Sequence, residues 1–446
     1  MKILVLNGSP KGQNSITLQT VRYLELLHTE AVFEVLDVGS RIKSLEKDFS
    51  AVEAAFSDAD IILFSYPVYT FIAPYQLHRF IELLKSSGIS TAGKTVSQIT
   101  TSKHFYDVTA HRYIQDNCQE MDMNFVRGLS ADMDDLLCEK GQKAARDFYD
   151  FLVWSHEKRV FEPCSVKPSE FTPVKATVPD RENSAEGDVV ILTDCAENDA
   201  VLGSMIDRFR AVMPRRTRVI NIAEYPFKGG CLGCFGCAVS GKCVYKDGFD
   251  DFLRNEIQTA QAIVTAFTVK EHSMGAIFKL YDDRQFCNGH RAVTMGMPIG
   301  YLVSGNYDNE YNLQMILQAR AQVGGNFLAG IASNEKDPDS CIDALAKSLE
   351  YAIRNSYVPP QNFYGVGGMK IFRDLIWLMQ GMMKADHRFY KQHKQYDFPQ
   401  KKRGTILKMY LVGALLSSTK LKKQMGGKMS EGMLMPYKKV LDSVKK

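Results

Sequence analysis

At 446 residues, 45% apolar and 24% charged, the chain has the make-up of soluble globular protein and is too long for one compact core, so two or three domains are expected. Its net charge of +4 conceals an asymmetry: residues 361–446 hold 18 Lys or Arg against 5 Asp or Glu, a balance of +13 that leaves −9 for the first 360. No nucleic-acid motif accompanies the basic stretch, which argues against a nucleic-acid partner. The N-terminal apolar run Ile3 to Leu6 is too short for a signal peptide or a membrane span, so a cytoplasmic protein with reduced thiols is expected.

The chain opens with a strand, a loop and a helix. Residues 2–6 suit a buried parallel strand, residues 7–15 are polar and turn-forming, and residues 16–28 are helical in pattern. The helix N-terminus then points at the loop. Backbone N–H groups, the hydroxyls of Ser9, Ser15 and Thr17 and the charge of Lys11 suit a phosphate, and no carboxylate stands between Asn7 and Thr20. The plainer alternative is an ordinary strand-to-helix loop with Ser15 as N-cap.

The alternation continues with a strand at 32–38, a helix at 50–57 and a strand at 61–65 that ends in Tyr66-Pro67-Val68-Tyr69-Thr70-Phe71. Tyr69 and Phe71 are placed to flank a planar ring. A helix at 74–85 and a strand at 95–99 lead to a second polar loop, Thr100-Thr101-Ser102-Lys103-His104-Phe105-Tyr106-Asp107. In a parallel sheet all three loops fall at the carboxyl edge, where ligands bind. His104 and Tyr106 are candidate proton donors, against the plainer reading of solvated loop side chains.

After a Pro-containing linker the pattern starts again, with strands at 189–192, 218–222, 262–267 and 297–304 and helices at 202–213 and 249–258: an internal duplication. The expected organisation is a first domain at 1–155, a linker at 156–187, a second domain at 188–350 and a basic helical tail at 351–446. The second repeat carries an insert after its second strand in which Cys231, Cys234, Cys237 and Cys243 follow the spacing C-x2-C-x2-C-x5-C on a glycine-broken loop. Three thiolates so spaced can wrap three irons of a cuboidal cluster and the fourth can close the cage. A structural zinc site, metal-free redox thiols and strained disulfides compete with that reading. The other six cysteines are dispersed and are expected to be small buried apolar residues. The second repeat's first loop, Thr193-Asp194-Cys195-Ala196-Glu197-Asn198-Asp199, holds three carboxylates that would repel a phosphate, and Thr268-Val269-Lys270 lacks the Pro-Val-Tyr of the first repeat. Any anion site there is expected to be lost. Asp282-Asp283-Arg284 reads as structural.

In the tail, Phe372, Leu375, Ile376, Met379 and Met383 form an apolar helical face, and residues 405–416 form a second apolar helix between Lys401-Lys402-Arg403 and Lys420-Leu421-Lys422-Lys423. Two readings stay open: packing on the second repeat, or peripheral contact with an anionic membrane surface or an acidic protein.

The first 150 residues resemble the flavodoxin-like NAD(P)H-dependent FMN reductase family through Gly8-Ser9-Pro10-Lys11 with Asn14-Ser15, Pro67-Val68-Tyr69 and Thr100-Thr101-Ser102. The cysteine spacing, followed by Val244-Tyr245-Lys246-Asp247, is similar to the motif of the iron-sulfur flavoproteins in that family. The resemblance implies parallel sheets in 2-1-3-4-5 order, and with the duplication and tail read above the expected fold is α/β, two tandem flavodoxin-like three-layer domains plus the helical basic tail. The resemblance further implies FMN held by Ser9, Pro10, Lys11, Asn14, Ser15, Thr17, Pro67, Val68, Tyr69, Thr70, Phe71, Thr100, Thr101 and Ser102, a [4Fe-4S] cluster on the four cysteines, and NAD(P)H as donor. The family forms dimers with flavins near subunit interfaces, which leaves a homodimer or an intrachain pseudo-dimer open. One departure stands out: the family's cluster-bearing members hold the phosphate loop and the cysteines in a single domain, and here they lie in different repeats. The implied function is a flavin-dependent oxidoreductase passing electrons from NAD(P)H through FMN to the cluster and on to a small-molecule or protein acceptor. A non-enzymatic flavin/iron-sulfur electron carrier and a zinc-stabilised flavodoxin-like binding module are the alternatives.

Overall fold

The computed structural model describes residues 1–166, 171–180 and 186–416, with the isolated positions Leu434 and Asp442; the expected basic run Lys420 to Lys423 lies outside the described residues. The first repeat runs β1 (Lys2–Asn7), α1 (Ile16–Leu27), β2 (Val32–Leu36), α2 (Ile42–Leu45), α3 (Ser50–Asp58), β3 (Ile61–Pro67), α4 (Tyr75–Ser86), β4 (Thr95–Ser102), α5 (Asp107–Glu120), β5 (Asn124–Phe125), β6 (Leu129–Asp132) and α6 (Glu139–Lys158). The second runs β7 (Val189–Thr193), α7 (Ala200–Val212), β8 (Thr217–Asn221), α8 (Gly236–Ser240), α9 (Phe249–Phe252), β9 (Ala262–Thr268), α10 (Gly275–Arg284), β10 (Pro298–Ser304), α11 (Tyr311–Gly324), β11 (Phe327–Ser333) and α12 (Pro338–Asn355). Helices α13 (Phe363–Leu378), α14 (Lys384–Gln392) and α15 (Arg403–Leu416) follow. The chain forms one compact unit, Met1–Phe389, and a second, Tyr390–Lys446.

Both sheets are parallel. The first has the order β2-β1-β3-β4-β5 with β6 also beside β4, and the second has β11-β10-β9-β7-β8. Counted by its own strands, the second sheet has the same 2-1-3-4-5 arrangement as the first. Alternation along each strand builds three layers. Ile3 and Val5 face a core with Leu18, Val21 and Leu24 of α1 and Phe148 and Leu152 of α6, whereas Leu4 and Leu6 face Phe56, Leu77, Phe80 and Ile114 of α3, α4 and α5. The second sheet divides likewise: Val189 and Ile191 face α7 and α12, and Val190 and Leu192 face α9, α10 and α11. Helix starts follow their capping residues, Ser15 accepting from the Leu18 N–H, Asp199 from Leu202 and Asp337 from Ser340 with Pro338 just inside the helix.

The two repeats share a core, since Ile316, Ala319 and Val323 of α11 lie in the first repeat's cluster with Tyr113 and Ile114. Their contact is reciprocal. The Tyr75 N–H donates to Asp283 Oδ2 at 2.7 Å, and the Ala276 N–H donates to Glu82 Oε1 at 2.8 Å. The same sequence offset relates both pairs, and it also relates the left-handed residues Thr70 (φ 42°) and Phe71 (φ 74°) to Glu271 (φ 48°) and His272 (φ 55°). The duplicated chain thus meets itself as an intrachain pseudo-dimer. Helix α13 lies close on α11 because two glycines allow it: a Cβ on Gly365 would sit 2.8 Å from the Gln322 carbonyl oxygen, and one on Gly368 2.8 Å from Val323. Asp386, fully buried, ties α14 to the loop after α10 through His290 Nδ1 (3.1 Å) and Arg291 Nη1 (2.9 Å). In the second unit, α15 is exposed at residues 403–414, with Leu407, Tyr410 and Leu411 at least 60% exposed. Among the described residues no helix is long and apolar enough to cross a membrane.

Candidate functional site

The first loop is shaped from behind. Asn7, at the end of β1, donates through Nδ2 to the Gly12 carbonyl (3.0 Å) and to Asp37 Oδ1 (2.7 Å), and Gln13 donates to Asp37 Oδ2 (2.8 Å). A Cβ on Gly39 would stand 2.4 Å from the Gly8 carbonyl oxygen, so glycine there lets the β2 loop press against the first loop. In front, Ser9, Lys11, Ser15 and Thr17 line a cavity of about 500 Å³ together with the first turn of α1. The hydroxyls of Thr17 and Thr101 meet at 2.6 Å, joining the first loop to the end of β4. The first N–H groups of a helix have no partner within it, so this end of the cavity offers donors to an anion.

The second loop forms one wall: Pro67, Val68, Tyr69, Thr70 and Phe71 all line the cavity, with Thr101, Ser102, Lys103 and Phe105 beside them. Pro10, Asn14 and Thr100 do not line it. Pro10 is buried, Asn14 points outward from a short 3-10 turn, and the Thr100 hydroxyl meets His111 Nε2 at 2.7 Å. The two candidate proton donors also stand away from the cavity lining. His104 is half exposed and holds Asp107 Oδ2 at 2.7 Å, and the Tyr106 hydroxyl donates to the Tyr364 carbonyl at 2.8 Å. Burial raises the Tyr106 phenol well above its usual range, which further removes it from proton exchange.

The opposite wall belongs to the second repeat. Cys231, Cys234, Cys237 and Cys243 all line the same cavity. Gly233 (φ +61°) and Gly241 (φ +76°) turn the loop in left-handed conformations, as does Phe235 (φ 59°). The loop is docked onto the first repeat: a Cβ on Gly233 would fall 1.9 Å from the Tyr69 hydroxyl oxygen, and one on Gly230 2.5 Å from the Tyr75 ring. Gln76 Nε2 donates to the Cys231 carbonyl (3.4 Å), Lys43 to that of Lys228 (2.6 Å), and Lys11 lies 5.5 Å over the Phe235 ring. Burial raises the Cys231 thiol strongly, with Asp283 adding to it; burial and the neighbouring Cys234 push Cys237 up to about 11. Among the described residues no three Cys, His, Asp or Glu side chains are gathered as a single ion would require. Of the remaining cysteines, Cys118 and Cys287 are buried, but Cys138, Cys164 and Cys341 are exposed, contrary to expectation.

Sequence reasoning missed the rest of the cavity. Phe286, His290 and Arg291 from the loop after α10, Arg320 of α11 and Phe372 of α13 close it, with Phe372 stacked 4.2 Å from Phe105. The Asp282-Asp283-Arg284 run is buried at the junction. Arg320 holds Asp282 at 2.5 Å, Asp283 reaches the second loop, and Arg284 makes a two-pronged pair with Asp247 at 2.8 Å. Four of the ten residues of α10, Lys279, Asp282, Asp283 and Arg284, are charged and all four are buried, which their sequence alone does not announce. In the second repeat the place of the anion loop is taken by an ion pair, Lys270 Nζ to Asp194 Oδ2 at 3.0 Å, and Asp199 accepts from the Thr268 hydroxyl at 2.8 Å.

Residues 1–124 match the family model described as a flavodoxin-like fold. Among characterised relatives, FMN-dependent NADH:quinone oxidoreductase 2 of Pseudomonas syringae pv. tomato is 33% identical over 119 residues, covering 20% of this chain and 56% of that one. The chain thus spans about half the length of that relative. The iron-sulfur flavoprotein of Archaeoglobus fulgidus is 24% identical over 178 residues, covering 36% of this chain and 77% of that one. Among solved structures, general stress protein 14 of Treponema denticola, in complex with FMN, is similar at 14% identity and a TM-score of 0.29, over 34% of this chain and 99% of that one. Residues 1–124 thus match a flavodoxin-like domain, and segments of the chain are similar to an FMN-dependent oxidoreductase and to an iron-sulfur flavoprotein.

Proposed function

We propose that the chain is an NAD(P)H-dependent flavin oxidoreductase that holds FMN on its first repeat and a [4Fe-4S] cluster on the cysteine loop of its second, and that it serves a quinone-type or protein acceptor. The observation that carries this reading is the docking of the cysteine loop on the second loop, with the Tyr69 hydroxyl against Gly233 and both loops lining one cavity. When bound, FMN supplies exchange between electron pairs and single electrons, and an iron-sulfur cluster supplies single-electron storage.

The residues fit both groups. Ser9, Ser15, Thr17 and Lys11 offer hydroxyls and a positive charge to the flavin phosphate, and the Asp37 carboxylate behind them is occupied by Asn7 and Gln13. The Pro67 to Phe71 wall and Thr101 take the ring. The Cys231 and Cys237 thiols, which burial raises, are poor nucleophiles as they stand and give up their protons readily to a positive centre. That favours a ligand role over free redox thiols. A zinc ion on the same four thiols is the competing occupant, and metal analysis separates the two. Phe105, Phe286 and Phe372 leave an apolar, aromatic surface beside the flavin wall for a flat acceptor.

The test is anaerobic. NADH or NADPH is expected to bleach the visible flavin band of the purified chain, and Cys234→Ser is expected to lose iron while retaining FMN. Colourless protein carrying zinc, or a flavin band that neither nucleotide changes, would overturn the reading. The exposed apolar helix α15, preceded by Lys401 and Lys402, also favours contact with an anionic membrane surface. Equal pelleting with phosphatidylserine vesicles in the presence and absence of residues 390–446 would end that idea.

A further inference from the structure

Thr70 and Phe71 are consecutive non-glycine residues in the left-handed region, and they form the middle of the wall assigned above to the flavin ring. A side chain there crowds its own backbone, so the turn persists only if its surroundings fix it. From the first repeat, the Thr109 hydroxyl donates to the Phe71 carbonyl. Tyr69 and Ile72, also of the first repeat, exchange backbone hydrogen bonds across the turn (2.8 and 3.1 Å), and the second repeat adds the buried side chains that grip it. Lys279 Nζ donates to the Tyr69 carbonyl (3.0 Å) and to Thr70 Oγ1 (2.5 Å), the Thr70 hydroxyl donates to Asp283 Oδ1 (2.8 Å), and Asp283 Oδ2 accepts the Tyr75 N–H (2.7 Å). Lys279 and Asp283 are paired with each other one helical turn apart, and their side chains are 2% and 0% exposed.

The duplication supplies an internal comparison. By the offset that relates the two repeats, the counterpart of Asp283 is Glu82, which accepts the Ala276 N–H as Asp283 accepts that of Tyr75. The counterpart of Lys279 is His78, fully buried, whose ring nitrogens make no hydrogen bond. The counterpart of Thr70 is Glu271, whose carbonyl accepts from Asn117 at 3.1 Å. Both interfaces keep the carboxylate that holds the facing helix. The lysine that grips the turn itself is present only toward the loop that lines the cavity, so interface stability alone does not account for it.

We propose that Lys279 and Asp283 are positioning residues for the flavin wall: the second repeat sets the geometry of Tyr69, Thr70 and Phe71, and so the affinity of the first repeat for FMN. This rests on the FMN reading above. The experiment titrates apoprotein with FMN by fluorescence and records visible circular dichroism of the bound flavin for wild type, Lys279→Met, Thr70→Val and Glu82→Gln, with thermal unfolding measured on each. Because a buried charge left alone by Lys279→Met can prevent folding, Thr70→Val, which keeps the ion pair, is the second arm. Lys279→Met and Thr70→Val are expected to raise the FMN dissociation constant about tenfold or more, as expected for lost hydrogen bonds to the turn, and to alter the flavin dichroism. Glu82→Gln is expected to lower thermal stability while leaving FMN affinity within about twofold of wild type. Wild-type affinity and dichroism in Thr70→Val and in folded Lys279→Met would overturn the positioning role and leave the flavin reading intact. A wild-type chain that takes up no FMN would defeat the flavin reading, and this proposal with it.

Discussion

Gly233 carries two demands at once. Its φ of +61° disfavours any side chain, and a Cβ would meet the Tyr69 hydroxyl oxygen at 1.9 Å. Gly233→Ala is therefore expected to lift the cysteine loop from the second loop, cutting iron content by about half or more, with a smaller loss of FMN affinity; unchanged iron content by metal analysis would show that the docking is incidental. Ser15 is more modest. It caps α1 by accepting the Leu18 N–H at 3.4 Å and also lines the cavity, so Ser15→Ala is expected to cost about 1 kcal/mol in urea unfolding and to weaken FMN binding. At this scale the sequence was half legible. Short polar residues before a helix are local information, which is why Ser9, Lys11, Ser15 and Thr17 could be named together, and all four line the cavity. Whether a loop residue turns inward depends on neighbours distant in sequence: Asn14 and His104 sit in the right loops and point away, and Asp37, which shapes the first loop, follows a different strand.

Helices carry the next level. Gly365 and Gly368 let α13 approach α11 closely, and Phe372 then caps the cavity against Phe105. Gly368→Leu would have to displace Val323 or Phe105; a loss of about 1–3 kcal/mol is expected, with faster exchange of bound flavin as the cap lifts, measured by denaturant unfolding and by FMN release. An unchanged release rate would show that α13 is no cap. The turn after β9 offers a pH test. His272 stands 3.3 Å from Glu120 Oε2 of the first repeat and 3.0 Å from Glu310 Oε1 of the second. Burial alone would lower its pKa, but the two carboxylates outweigh burial and hold it at about 9. Since this exceeds the ordinary value of about 6.5, the contribution to stability is complete below that pH and is lost as pH rises through 9. Wild type is expected to lose stability between about pH 7 and 10 by up to a few kcal/mol, and His272→Gln to lose much less; parallel pH profiles from thermal unfolding would contradict this. β1, β3, β7 and β9 were readable because buried parallel strands are short apolar runs, whereas β5, β6 and β11 went unread. The role of α10 was not readable either: its charges look like a solvent face until α4 is brought against them.

For the molecule as a whole, duplication explains more than any single motif. Two copies of one topology meet across a reciprocal contact; the first carries a loop free of carboxylates from Asn7 to Thr20, and the second has the Lys270–Asp194 pair at the corresponding place and carries the cysteine loop. The contrast between the two loops could be read from the carboxylates between Asp194 and Asp199, since charge at a loop is local information. The fit of the cysteine loop over the partner repeat could not, because it depends on the offset between two copies and on which faces meet. The most direct measurement is FMN, iron and acid-labile sulfide per chain in anaerobically prepared protein. About one FMN with about four iron and four sulfide is expected; two FMN per chain, zinc in place of iron, or flavin with metal-free thiols would contradict a single flavin site walled by a cluster-bearing loop.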